Sequence, residues 1–205
     1  MNFKYGYGKG YKEFSINDEN ILMDLRQNSV NIGLTGADEV ERAIENPIGS
    51  EKLRHIVKPG EKIAIITSDI TRPMPSKIVL PVVLKELEKA GVDRDDITVV
   101  FALGNHRKQT EEEKKYLVGE EIYNSVKCVD SDTSDCVHLG TTKNGTPVDI
   151  FRCVAEADRR ICLGNIEFHY FAGYSGGAKA IMPGVSTRDA IQANHSQMVR
   201  DEARA

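Results

Sequence analysis

Two stretches of the chain are apolar without polar alternation. Lys62 to Thr67 (KIAIIT) and Ile97 to Leu103 (ITVVFAL) carry the pattern of strands covered on both faces. A third apolar run, Ile161 to Gly164 (ICLG), reads as the end of another buried strand. Between the first two the pattern changes to helical spacing. Ile78, Val79, Val82, Val83 and Leu87 recur along one face of a helix that Ser76 should cap, Pro81 should kink and Gly91 should end. Strand, polar loop and helix then repeat. After the second strand, Thr110 and Glu113 have capping-box spacing, and after the third, Ser186 with Asp189 opens a last helix that carries His195.

This alternation predicts an α/β fold with a mostly parallel sheet flanked by helices. Three elements complete the outline. Phe3 to Ile16, with aromatic residues at alternate positions and glycines at 8 and 10, reads as an N-terminal β-hairpin. Gly36 to Glu45 reads as a helix preceded by Thr35, with Asp38 three residues on, and stopped by Pro47. Val126 to Val129 reads as a strand, followed by a hairpin across Asn144-Gly145. The strands Lys62 to Thr67, Ile97 to Leu103 and Arg160 to Gly164 are expected to be neighbours with their carboxyl ends on one edge, which is where open α/β sheets keep their sites.

Each strand is followed by residues able to do chemistry. Ser68 to Pro75 (SDITRPMP) holds Asp69, Thr71 and Arg72 on a loop stiffened by two prolines. Gly104 to Arg107 (GNHR) follows the second strand and contains His106. Beyond the third lies NIEFHYFAGYSGGAKAIMPG, residues 165–184, with His169 five residues past Gly164. Gly173, Gly176 and Gly177 there allow positive φ and close approach of backbone N–H groups to a ligand, just ahead of Lys179. A glycine-rich turn, a lysine and a helix start can cradle an anion, although Ala178 and Ala180 stand where a Walker A loop needs Gly and Ser or Thr. His55 and His138 lack such surroundings and are expected to be structural or surface residues.

Composition narrows the field. A chain of 205 residues is long enough for one large domain or one and a half small ones and can bury roughly 70% of its unfolded surface. Its net charge of −4, with both signs interspersed, argues against nucleic-acid and anionic-membrane surfaces as partners. No apolar run approaches the ~18 residues of a membrane span, and the N-terminus has no secretory h-region, so a cytoplasmic protein is expected. Cys128, Cys136, Cys153 and Cys162 are too irregularly spaced for metal knuckles and read as small, mostly buried apolar residues.

SDITRPMP, GNHR, EFHYFAGYSGGAKAIMPG and ANH, in this order, together resemble the nickel-dependent lactate racemase family, over nearly all of Lys62 to His195. The resemblance implies that residues 1–205 are an N-terminal cofactor-binding and catalytic domain. It implies nickel held in pyridinium-3,5-bisthiocarboxylic acid mononucleotide, a pincer of two sulfurs and a ring carbon. Lys179 would tether this cofactor through its thioamide, and His195 would be the protein's nickel ligand, a donor set suited to square-planar Ni(II). Asp69, Ile70, Thr71, Arg72, Gly176 and Gly177 would also contact it. His106 and His169 would be the paired acid/base residues, one for each enantiomer of a small 2-hydroxy acid, and Arg72 would hold its carboxylate. The partners implied are the substrate, the cofactor-synthesis enzymes that deliver the cofactor, and a separate C-terminal domain, since family members are about twice this length. Two other functions fit the residues: a nucleotide- or phosphate-binding module or split subunit without turnover, and a hydrolase or transferase using His and Lys on an α/β fold.

Overall fold

The computed structural model describes residues 1–170 and 172–203. The chain divides into two compact units, Met1–Gly33 and the remainder from Leu34 on. In the first, β1 (Asn2–Tyr7) and β2 (Gly10–Ser15) form the expected antiparallel hairpin, with Phe3 opposite Phe14. The rings of Phe3, Tyr5 and Phe14 stack on one face, as alternation along a strand requires.

The second unit opens with α1 (Gly36–Glu45) and α2 (Leu53–Ile56). It is built on a four-stranded, all-parallel sheet in the order β5-β4-β3-β8. The strands are β3 (Ile63–Ser68), β4 (Ile97–Ala102), β5 (Lys127–Asp130) and β8 (Arg159–Cys162). The three predicted strands are neighbours, in parallel register, with their carboxyl ends on one edge. Successive residues of β3 face opposite ways. Ile63 and Ile65 join Leu80, Leu84 and Leu87 of α3 (Ser76–Lys89), Leu117 and Val118 of α4 (Glu111–Val118) and Ile122 of α5 (Glu120–Ser125). Ala64 and Ile66 face the second layer. That layer is the hairpin β6 (Cys136–Thr141) and β7 (Pro147–Phe151) with α6 (Arg152–Ala155), which supply Ile150, Phe151 and Val154. A strand buried on both faces has no polar side to alternate with, hence the unbroken apolar runs.

Several local expectations are corrected. Ser76 does not cap α3; Pro75 precedes the helix, and the buried Ser76 hydroxyl hydrogen-bonds Thr67 Oγ1 of β3 at 2.7 Å. The last helix, α7 (Arg188–His195), starts two residues after Ser186. Thr187 accepts from the Ala190 amide, while Ser186 Oγ donates to the Ile181 carbonyl. Thr35 precedes α1 as expected but makes no side-chain cap. The third strand lies at the sheet edge and is only half covered, because β3 alone pairs with it among the described residues. Cys162 is therefore exposed, unlike the half-buried Cys128, Cys136 and Cys153. Thr110 and Glu113 form the complete capping box of α4, and Gly145 turns the β6–β7 hairpin with φ 84°.

Candidate active site

Parallel strands end together, so the loops that follow them converge. The ends of β3, β4 and β8, with the chain from Asn165 to α7, enclose a cleft of about 290 Å³. Asp69, Arg72, His106, His169, Gly176, Lys179 and His195 all line it, residues separated by up to 126 positions in sequence. Ile70, Thr71 and Gly177 do not. Ile70 packs against the helical core, and Thr71 is exposed and lines a neighbouring depression with Ser76 and Lys77 of α3. Gly177 begins a short 3-10 helix, Gly177–Ala180, that carries Lys179.

Asp69 is only 2% exposed, and both its carboxylate oxygens are engaged. Oδ1 accepts from the Thr71 hydroxyl at 2.8 Å and the Thr71 amide at 3.3 Å; Oδ2 lies 2.6 Å from His106 Nδ1. Arg72 Nη1 donates to the Thr71 hydroxyl at 3.3 Å. One residue further on, the Ile70 amide donates to Gln109 Oε1 at 2.8 Å. Gln109 is itself fixed by the carboxylate of Asp130, which accepts from its amide at 2.9 Å and from Nε2 at 3.0 Å. The Asp69 loop is thus tied to the ends of both β4 and β5. Sequence reasoning missed Gln109 and Asp130, since nothing in their local pattern marks a pair 21 residues apart.

His169 sits on a miniature ribbon of β9 (Phe168–His169) and β10 (Gly173–Tyr174). Ser175 closes its base, where its hydroxyl donates to the Asn165 carbonyl at 2.7 Å and accepts from the Glu167 amide at 2.8 Å. His169 Nδ1 accepts from the Ala172 amide at 3.2 Å. Burial pushes the His169 imidazole below its ordinary pKa, reinforced by Lys179, Arg72 and His195. The Lys179 amine is pushed down in the same way, by burial first and then by Arg72, against an opposing pull from Glu167. Two groups whose positive forms are disfavoured beside Arg72 make a setting that suits an anion.

Glycine is required where the ribbon meets the sheet. A Cβ on Gly164 would lie 3.1 Å from the Gly176 Cα, and Gly176 has φ 84° and ψ −173°. Asn165, in the same wall, holds a buried Nδ2 with no hydrogen-bond partner among the described residues. His55 is exposed, and His138 pairs with Asp149 at 2.6 Å on the β6–β7 hairpin, so neither belongs to the cleft.

Fold and site together define an α/β domain whose cationic and histidine side chains gather in a cleft where the strands of a parallel sheet end. The family described as the lactate racemase N-terminal domain matches residues 7–205, and the chain belongs to that family. It is 39% identical over 199 residues to the lactate racemase of Thermoanaerobacterium thermosaccharolyticum and 38% identical over 195 residues to that of Lactiplantibacillus plantarum. These alignments cover 95% and 93% of this chain but 46% of each relative, so the chain spans about half their length. The solved structure of the lactate racemase apoprotein from T. thermosaccharolyticum superposes with a TM-score of 0.85 at 36% identity, over 100% of this chain and 49% of that one. A Thermotoga maritima protein shares the fold, with a TM-score of 0.61 at 19% identity over 79% of this chain and 42% of its own.

Proposed function

We propose that this chain is the cofactor-binding and catalytic N-terminal domain of a cytoplasmic racemase or epimerase of lactate or a related 2-hydroxy acid, which uses the nickel pincer nucleotide. The observation that carries this is the convergence of Arg72, His106, His169, Lys179 and His195 on one cleft, with the Lys179 amine disfavoured as a cation by burial and by Arg72. A lysine in that state has the nucleophilic character needed for a covalent tether. The residues fit the cofactor. Gly164 and Gly176 let two backbone segments of the cleft wall approach each other closely, the Asn165 Nδ2 lacks a partner among the described residues, and Lys179 and His195 open on the same space. No group of three metal-binding side chains occurs among the described residues, and a single imidazole does not hold a metal alone, so the remaining donors would come with the nucleotide. When bound, that group supplies an acceptor for the hydride of the substrate carbon.

Everything else falls to the chain's own side chains. The Arg72 guanidinium takes the substrate carboxylate, for which its planar fork is shaped. His106 and His169 exchange the hydroxyl proton at imidazole nitrogens, one on each side of the substrate. Asp69, buried and committed to Thr71 and His106, acts through His106 rather than by touching cofactor. A separate C-terminal domain closes the cleft against water, which strengthens each of these contacts.

Intact-mass analysis of the chain co-expressed with the cofactor-synthesis enzymes tests this. A cofactor adduct that disappears in Lys179→Ala and in Lys179→Arg is expected; nickel-free, adduct-free wild-type chain would refute it. Gly176 and Lys179, which line the cleft, also suit one alternative, a nucleotide-binding subunit without turnover of its own. Adduct formation without racemisation, even with a C-terminal domain supplied, would select it.

A further inference from the structure

The two cleft histidines are held by opposite kinds of neighbour. His106 Nδ1 lies 2.6 Å from the Asp69 carboxylate, an acceptor. His169 Nδ1 lies 3.2 Å from the Ala172 amide, a donor. A neutral imidazole has one N–H and one lone pair, so the partner at Nδ1 dictates what Nε2 presents. We propose that Asp69 and the Ala172 amide hold the pair in opposite neutral tautomers: His106 with its proton on Nδ1 and an acceptor at Nε2, His169 with an acceptor at Nδ1 and its proton on Nε2.

The consequence for catalysis rests on the function proposed above. His106 can take a hydroxyl proton at Nε2 directly, and the imidazolium formed lies against the Asp69 carboxylate. His169 can hydrogen-bond to a substrate oxygen from Nε2. To accept a proton there, it must first place its own on Nδ1, where it would face the Ala172 N–H donor to donor. The two histidines are therefore not equivalent bases in this domain: the enantiomer whose hydroxyl faces His106 gives up its proton directly, whereas His169 must change tautomer before it can take the proton of the other. Asp69 is the positioning residue, and its own geometry is over-determined. Thr71 presents both its amide and its hydroxyl to Oδ1, which leaves Oδ2 to meet His106 at 2.6 Å, with the Thr71 hydroxyl oxygen 3.3 Å from the same ring nitrogen.

That arrangement makes Asp69→Asn decisive. The Thr71 amide can only donate, so it retains the carboxamide oxygen on its side and turns the Asn Nδ2 toward His106 Nδ1. That donor stands where Oδ2 was, 2.6 Å from Nδ1 and nearer than the Thr71 hydroxyl at 3.3 Å, so His106 moves its proton to Nε2. The measurement is a long-range 1H–15N correlation spectrum of the histidine-labelled full chain about two units above the ordinary imidazole pKa, assigned with His106→Gln and His169→Gln. In the wild type, His106 should show a pyrrole-type Nδ1 and a pyridine-type Nε2, with His169 reversed. In Asp69→Asn the His106 signals should interchange while those of His169 stay. Both histidines in one tautomer in the wild type overturns the proposal without any variant, and so covers the case in which Asp69→Asn does not fold. An Asp69→Asn chain that folds with His106 unchanged overturns it also. Because no turnover is read, absence of racemase activity would refute the proposed function and leave this result standing.

Discussion

Gly176→Ala probes the glycine-rich turn at its most demanding point. Gly176 has φ 84° and ψ −173°, a region that only glycine occupies without strain. An added Cβ would lie 3.3 Å from both the Asn165 carbonyl oxygen and Ile166 Cγ1, tight enough that the wall must give by a few tenths of an ångström. Backbone strain and crowding together cost about 2–3 kcal/mol, which for a chain of this size lowers Tm by about 4–12 °C. Gly177→Ala is the matched control. Its φ of 49° lies in the ordinary left-handed basin and a Cβ would meet nothing within 4 Å, so the cost is about 1 kcal/mol and about 2–4 °C. Thermal denaturation by circular dichroism compares the two. If the loop relaxes rather than bearing the strain, the 3-10 helix after Gly176 shifts and Lys179 leaves its partly buried place. Its amine should then lose the raised acylation rate that a depressed pKa confers, read site by site by mass spectrometry. A Gly176→Ala chain as stable as Gly177→Ala, with Lys179 acylated at the wild-type rate, would refute the argument that this glycine shapes the cleft.

Other predictions follow from buried charge and shifted titration. Arg54 and Lys89 neutralise Glu86, which is 2% exposed, so Arg54→Met should cost about 2 kcal/mol by urea denaturation, and the Arg54→Met/Glu86→Met pair should recover most of it. An unchanged midpoint in the single variant would show that Lys89 suffices. The imidazole of His169 is pushed down, so the folded chain binds fewer protons there than the unfolded one. Stability should fall as pH drops below the ordinary histidine value, and His169→Gln should flatten that slope in Tm against pH. Burial pushes the Cys128 thiol up to about 11. Its thiolate at neutral pH is about 100-fold scarcer than that of an unshifted thiol, so its alkylation should be slower by that factor in the folded chain than in urea.

The sequence by itself determined the architecture and the sheet edge on which Asp69, Arg72, His106, His169, Gly176, Lys179 and His195 gather. Continuous apolar runs in β3 and β4 mean strands buried on both faces, and the helical periodicity between them means a crossover, so a parallel sheet with its loops on one edge follows. Since every predicted site residue lay just past a strand or in the chain that follows the third one, the cleft was legible before any coordinates. Local signals went wrong where a side chain had two partners to choose from. Ser76 and Ser186 carry cap-type hydroxyls, but tertiary packing offered each a buried acceptor or hydroxyl, and Thr187 took the cap instead. The run at Ile161 could not reveal that β8 is an edge, because edge or centre depends on what pairs with the strand and not on its own residues. Only the tertiary structure decided the orientation of the catalytic candidates. Asp69, a cofactor contact by resemblance, is buried beneath His106, and Gln109 and Asp130 fix its loop from two other strand ends. Such links join residues 21 to 39 positions apart, and a hydrogen bond across that distance in sequence leaves no periodicity, spacing or composition behind it.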